Sequence, residues 1–291
     1  MRGRYNLLFI AVCLIIVLAS CTKDPSINAT RLQIKLTDAP MDTRAEAIVI
    51  SEFNVDIQKI EVSATDSLGE NEDWVTLDFN GGVYNILPLT NGKSKQIADQ
   101  YFPAGILRRL RVHYGNNSSI SIRNGEPREL ILEPGYENGV EYEVNTTLYP
   151  HYISSIMIDI NAQLSLYEQN GNYFFKPDAR VFAEAFGGSL KGFAGPPDAS
   201  PAVIITNEKE ALFSIPEFSD GMFKFIGLEE GEWEIYVYSQ SGTGYVDTVF
   251  TDSIYSGKTT NLKSKITLKK YTPPVEGGDD DDGEDPEDND G

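Results

Sequence analysis

Short runs in which apolar and polar residues alternate, separated by pairs that force turns, leave this chain few ways to fold. Leu32-Gln33-Ile34-Lys35-Leu36 has the two-residue period of a half-buried strand. Comparable runs follow at 55–62, 110–114, 130–132, 140–144, 156–160 and 173–175. Between them stand Gly81-Gly82, Asn91-Gly92, Pro103-Ala104-Gly105, Asn124-Gly125, Glu133-Pro134-Gly135, Asn138-Gly139 and Asn170-Gly171, residues that tolerate or impose turn dihedrals. Short strands so closely punctuated predict an all-β chain, and 291 residues leave room for two antiparallel β-sandwich domains in tandem. The exception expected is a turn or two of helix around 94–101, where Ile97, Ala98 and Tyr101 share a helical face.

The pattern breaks at Gly187-Gly188, which divides the folded part into a first domain at 31–186 and a second at 187–270. In the second, strands are expected from Gly188 and at 202–206. Beyond Val275 no apolar residue follows, so the acidic segment at 271–291 can bury nothing and is expected to be disordered. It is not a calcium loop, which needs an acid first, a glycine sixth and a glutamate twelfth. Taking Gly283 as the sixth position puts Gly278 first, and taking Gly291 puts Pro286 there.

At the other end, Arg2 and Arg4 precede an almost unbroken apolar stretch at 7–19, the anatomy of an export signal. The stretch is shorter than the roughly 20 residues a spanning helix needs. Leu18-Ala19-Ser20-Cys21 resembles the lipobox of bacterial lipoproteins. That resemblance implies removal of a signal peptide at 1–20, acylation of Cys21, and a polar tether at 21–30 holding the protein to the cell envelope. Lys23-Asp24 resembles the signals that send some lipoproteins to the surface of Gram-negative bacteria, so the expected address is the outer membrane, facing the periplasm or the exterior. Cys13 leaves with the signal, so the mature chain has neither a disulfide nor a free thiol. A cysteine nucleophile and a zinc-thiolate site are thereby excluded.

The formal charge is −20; without Arg2 and Arg4 it is −22, and setting aside the ten acids between Glu276 and Asp290 leaves −12 on the folded part. An acidic body repels phosphate backbones, which argues against a nucleic-acid partner. The partners left are a membrane, held through the N-terminal lipid, and a glycan or protein ligand.

Several ordered blocks in the first domain carry a further resemblance. Leu36-Thr37-Asp38-Ala39-Pro40, Tyr84-Asn85-Ile86-Leu87 with Asn91-Gly92, Phe102-Pro103-Ala104-Gly105 before Arg109-Leu110-Arg111-Val112, Asp159-Ile160-Asn161-Ala162 and Phe175-Lys176-Pro177 are similar to domain of unknown function 4382, found in exported bacterial lipoproteins. The likeness covers about 32–186 and implies a fold and a compartment, with no catalytic residue to transfer. Asn161 departs from that family, which more usually has an acid there. Asp38 is expected to cap a turn by bonding to the amides that follow it. In the second domain, the run from Asp220 through Phe223, Phe225, Gly227-Leu228 and Gly231 to Trp233, Ile235 and Val237 resembles carboxypeptidase-regulatory-like or collagen-adhesin B-type domains. That likeness implies a small transthyretin-like sandwich over 188–268, with the aromatic and branched residues named facing its core.

Candidate ligand-binding residues are few. Arg109, Arg111 and His113 share one face of a strand, a basic strip that fits an anionic ligand and equally the wet face of a sheet. Tyr149, His151 and Tyr152 form an aromatic cluster that fits a sugar ring and equally a packed loop. There is no nucleophile elbow, metalloprotease helix, phosphate loop or dinucleotide fingerprint, and one turn carboxylate at Asp38 falls short of a calcium site. Asp66-Ser67-Leu68, Asp247-Thr248-Val249 and Asp252-Ser253-Ile254 resemble O-glycosylation triplets of surface-lipoprotein-rich bacteria. The expected role is a non-enzymatic binding or structural module with no catalytic residue, cofactor or metal. Its rivals are a glycan-binding accessory, a pilus subunit that exchanges strands, and a glycoside hydrolase with two carboxylates about 5–10 Å apart in a cleft.

Overall fold

The computed structural model describes residues 28–41, 49–65 and 73–272. The export signal, Cys21, most of the tether, the Asp66-Ser67-Leu68 triplet and the acidic tail from residue 273 lie outside the described residues.

The first unit runs β1 (Ala29–Ala39), β2 (Ile50–Thr65), β3 (Asp73–Thr76), β4 (Gly82–Asn85), β5 (Lys95–Pro103), β6 (Gly105–Tyr114), β7 (Ser119–Ile122), β8 (Arg128–Leu132), β9 (Val140–Leu148), β10 (Ile153–Asn161), β11 (Leu166–Gln169), β12 (Asn172–Phe175) and β13 (Ala179–Ala183). One sheet has the order β13-β10-β1-β5, and the facing sheet β11-β12-β8-β7-β2-β6-β9, with β3 and β4 also paired to β2. Leu32, Ile34 and Leu36 of β1 and Ile156, Ile158 and Ile160 of β10 point inward, each at most 1% exposed. Across from them lie Phe53, Val55 and Ile57 and then Ile60 and Val62 of β2. The inward set changes from odd to even numbers because the register shifts between Ile57 and Lys59, an irregularity that keeps both halves of a long strand on one core. Phe175 fills the middle, edge-to-face with Phe53 at 5.8 Å and Tyr114 at 5.2 Å.

Two sequence-based expectations are corrected here. The helix expected around 94–101 is β5, antiparallel to β1. Pairing satisfies the backbone of an edge that β1 would otherwise leave open, and it buries Ala98 and Phe102, so tertiary context overrides the local spacing. Asp38 caps no turn; it lies inside β1, which continues to Ala39 because it pairs with β10 as far as Asn161. The expected antiparallel pattern holds for most pairs of this unit, while β1–β10 and β8–β12 are parallel.

The second unit adds β14 (Gly188–Gly195), β15 (Ala202–Thr206), β16 (Ala211–Ser214), β17 (Met222–Leu228), β18 (Gly231–Tyr238), β19 (Tyr245–Val246), β20 (Thr248–Ile254), β21 (Thr259–Asn261), β22 (Ile266–Thr267) and β23 (Lys269–Lys270). A sheet of order β17-β14-β21, with β22 also on β14, faces a sheet of order β16-β15-β18-β20. Between them lie Leu190, Val203, Ile205, Phe223, Phe225, Trp233, Ile235 and Val237, a core separate from the first. Trp233 is 1% exposed and its indole N–H donates to the Glu229 carbonyl at 3.1 Å, so its polar edge is satisfied.

Phe175→Ala removes the ring that both Phe53 and Tyr114 abut, and is expected to cost about 3–5 kcal/mol of unfolding free energy by denaturant titration.

Candidate functional site

The predicted tyrosines meet where β1 begins. His151 adopts a positive φ of 65°, which turns the β9–β10 loop back so that its N–H donates to the Ala29 carbonyl at 2.8 Å. The Tyr152 carbonyl then accepts from the Arg31 amide at 2.9 Å and the Thr30 hydroxyl at 2.8 Å. With the backbone so held, the rings of Tyr149 and Tyr152 stand 6.2 Å apart at 65°. They line a cleft of about 350 Å³ with Ile153, Ser155, Ala183 and Phe186. Register extends the surface sideways, because Arg31 lies opposite Tyr101 on β5 and opposite Ile153 on β10. Tyr101, Tyr149, Tyr152, Ile153 and Phe186 are all 49–69% exposed, an unusual concentration of large apolar side chains at one end of the molecule.

The basic strip is elsewhere, and it is not bare. β6 runs between β2 and β9, so Arg111 lies directly opposite Glu61 on one side and Glu141 on the other. Its guanidinium donates to Glu61 at 3.3 Å and Glu141 at 3.1 Å and stacks on Trp74 with its central carbon 4.0 Å from the ring centre. Arg109 bonds Glu141 at 2.9 Å, and His113 contacts Glu61 at 2.7 Å. Arg109, Arg111 and His113 therefore face carboxylates, and neither they nor His151 line the tyrosine cleft. Of the six candidate residues, Arg109, Arg111 and His113 gather on Glu61 and Glu141, and only Tyr149 and Tyr152 line the cleft. Among the triplets, Thr248 is exposed at the start of β20 and Ser253 is half-buried within it.

A second constellation, missed in the sequence, joins the two units at the far end of β1. Asn91 sits in left-handed geometry at φ 56° ahead of Gly92, and its buried amide reaches across. Its Nδ2 donates to the Ile215 carbonyl at 3.0 Å, and its Oδ1 accepts from the Ser214 hydroxyl at 2.7 Å and the Lys224 amide at 3.3 Å. Behind it the Thr37 hydroxyl donates to the Leu89 and Lys93 carbonyls, both at 2.9 Å, which fixes the loop. Arg180 on β13 donates to Asp159 at 2.6 Å, to the Ile226 carbonyl at 3.3 Å and to Glu210 at 3.4 Å. Gly227 packs its backbone on Phe182 so closely that a Cβ there would overlap the ring. Thr37 and Asp38 of β1, Asn91 of a turn and Asp159 of β10 come from three separated parts of the sequence, yet all line this seam. The signal was present in those blocks; what was lacking was the second unit that they meet.

Burial raises the Asp159 carboxyl, while the Arg180 charge and hydrogen bonds pull it back. Asp38 is pushed well above the usual carboxylate range, first by burial and then by the Asp159 charge. Among the described residues its Oδ1 accepts a 3.3 Å bond from the Ala162 amide, and its Oδ2 has no partner. These two acids lie beneath a seam whose cavity is about 30 Å³, with an arginine on one of them, an arrangement unlike an open hydrolytic cleft. Among the described residues, no group of three or more His, Cys, Asp or Glu side chains could hold a metal ion.

The profile of a family described as Domain of unknown function (DUF4382) matches residues 29–177. No curated protein matches the sequence. Among solved structures, the Bacillus anthracis TIE protein is similar at 12% identity and a TM-score of 0.25, over 76% of this chain and 35% of that one. GBS52, the minor pilin of the gram-positive pathogen Streptococcus agalactiae, is similar at 11% identity and a TM-score of 0.22, over 84% of this chain and 98% of that one. BcpA, the major pilin subunit of Bacillus cereus, is similar at 10% identity and a TM-score of 0.23, over 84% and 71%. Scores this low carry no functional argument.

Two pH effects follow. Burial would raise Glu61, but hydrogen bonds from His113, Lys59 and Arg111 pull its carboxyl from about 4.5 down to about 2. Its stabilising contribution is therefore present above about pH 4.5 and lost as pH falls toward 2, so the stability deficit of Glu61→Gln at neutral pH is expected to vanish over that window in thermal unfolding. Asp38 has the opposite sign: its raised carboxyl favours the fold only while protonated. Asp38→Asn should gain stability relative to wild type on going from about pH 4 to about pH 7.

Proposed function

Because the chain belongs to the Domain of unknown function (DUF4382) family, with no catalytic chemistry assigned to that domain, we propose that it is a lipid-tethered, non-enzymatic structural module of a bacterial cell envelope. The observation that carries the reading is the seam. Asn91 and Arg180 join two sandwiches through partly buried hydrogen bonds and Gly227 through close packing, contacts of the kind that hold one relative orientation, which suits a module that presents one unit at a set position from its anchor. The anchor in this reading is the acyl group on Cys21, placed by the Leu18-Ala19-Ser20-Cys21 lipobox. No helix among the described residues is long and apolar enough to cross a membrane. The second unit is read as a carboxypeptidase-regulatory-like sandwich; its paired sheets and the inward Phe223, Phe225, Trp233, Ile235 and Val237 support that reading.

The cleft itself favours a second reading, a glycan-binding accessory lipoprotein. An edge-to-face tyrosine pair beside the Ser154 and Ser155 hydroxyls offers a sugar both an apolar face and polar partners. Loss of binding on a glycan array by Tyr152→Ala would support it, and an array silent for the wild type would remove it.

Two measurements test the first reading. Wild type is expected to incorporate labelled palmitate and to partition with membranes, while Cys21→Ala does neither; equal membrane association of the two ends the tether. In calorimetry the wild type is expected to unfold in one transition. Asn91→Ala leaves three partners unsatisfied, the buried Ser214 hydroxyl among them, is expected to cost about 2–4 kcal/mol, and should split the transition in two. Two independent transitions in the wild type would overturn the rigid module.

A further inference from the structure

We propose that the exposed aromatic end of the first unit, formed by Tyr101, Tyr149, Tyr152, Ile153 and Phe186, seats in the headgroup layer of the bilayer to which the chain is tethered, so that the membrane is the occupant of this surface. The inference rests on the proposed acylation of Cys21 and adds a second contact to it.

Three observations converge. The first is position. The surface is built directly on the start of β1: Arg31 bonds Tyr152 and lies opposite both Tyr101 and Ile153. Cys21 and Ala29 are eight residues apart, so at no more than ~3.6 Å per residue the start of β1 lies within about 29 Å of the lipidated residue whatever path lies between.

The second observation is chemistry. Tyrosine has an apolar ring and a polar tip, the combination favoured at the boundary between hydrocarbon and water. Three tyrosines, an isoleucine and a phenylalanine at least about half exposed together form the anchoring set expected of an interfacial surface. The apolar cleft between Tyr149, Tyr152, Ile153 and Phe186 gives the layer a recess as well as a face.

The third is charge. The folded part is acidic, yet the charges beside this surface on β1 are matched. Arg31 grips Asp99 through two 2.7 Å bonds, with Gln33 also on that carboxylate, and Lys35 pairs with Glu184 at 2.7 Å. A neutral apolar end on an acidic body fits a zwitterionic surface and avoids the repulsion that an anionic one would exert on the rest of the chain.

The test uses the acylated full-length protein on vesicles of phosphatidylcholine and phosphatidylethanolamine, with an environment-sensitive fluorophore on one introduced thiol. Cys13 leaves with the signal and Cys21 is acylated, so that thiol alone is labelled. Tyr152→Cys is the reporter, and Phe218→Cys, which borders a cleft with Pro40 at the opposite end of β1, is the control. The expected result is a blue shift and loss of emission to spin-labelled lipid at position 152 but not at 218. Replacing Tyr149, Ile153 and Phe186 by Ser is expected to abolish the quenching while flotation with vesicles persists. Protein that floats but shows aqueous emission at 152 overturns the docking and leaves the tether standing. Protein that does not float overturns the tether and the docking with it. Quenching absent in lipid but emission shifted by a soluble glycan assigns the surface to a sugar instead.

Discussion

The parallel pairing of β1 with β10 is the constraint on which the remainder of the molecule depends. Parallel neighbours cannot be joined by a tight turn, and here almost the whole facing sheet lies in the connection between them. That connection supplies the opposite half of the core, so pairing the two strands also closes the sandwich. β1 contributes Leu32, Ile34 and Leu36 to the interior and sends Arg31, Gln33 and Lys35 outward. At ~3.3 Å per residue its two ends lie roughly 33 Å apart, and each end organises a different surface. The start holds the tyrosine loop through Arg31 and Thr30; the finish holds the seam through Thr37 and Asp38.

The two surfaces are opposites in chemistry. At the seam, polar groups are taken out of water and nearly all are paired. Asn91 uses both ends of its amide, and Arg180 divides its donors between a carboxylate of its own unit and acceptors on the next. Such contacts contribute little net energy each, but any one left unmade is costly, which makes them better at specifying one orientation than at adding stability. Asp38 is the member left short, with one oxygen unpartnered, and its raised carboxyl is the physical consequence. At the aromatic end the bargain is reversed: large apolar side chains are left facing out, where only a partner can remove them from water.

Some of this was legible in the residues. The turn pairs Asn91-Gly92 and Asn170-Gly171 adopt the positive φ values their side chains tolerate, and the alternation at Trp233, Ile235 and Val237 placed all three in the core. The basic strip was correctly placed on one strand face, but its neighbours were invisible, because Glu61 and Glu141 come beside Arg111 only through pairings fifty and thirty residues away. Asp38 read as a turn cap because Ala39-Pro40 follows it; the partner that keeps it in a strand lies more than a hundred residues on.

The sequence by itself determined the class of structure, the interior faces of the main strands and many of the turns. These follow from period, turn dihedrals and local motifs, all of which act over a few residues. Tertiary structure decided which strands are neighbours, that 94–101 is an edge strand, that Tyr149 and Tyr152 join Ile153 and Phe186 beside the start of β1, and that Asn91 and Arg180 fasten two units together. Those outcomes depend on which backbone edges and buried polar groups remain to be satisfied once the core has closed, a question that no local stretch of sequence poses.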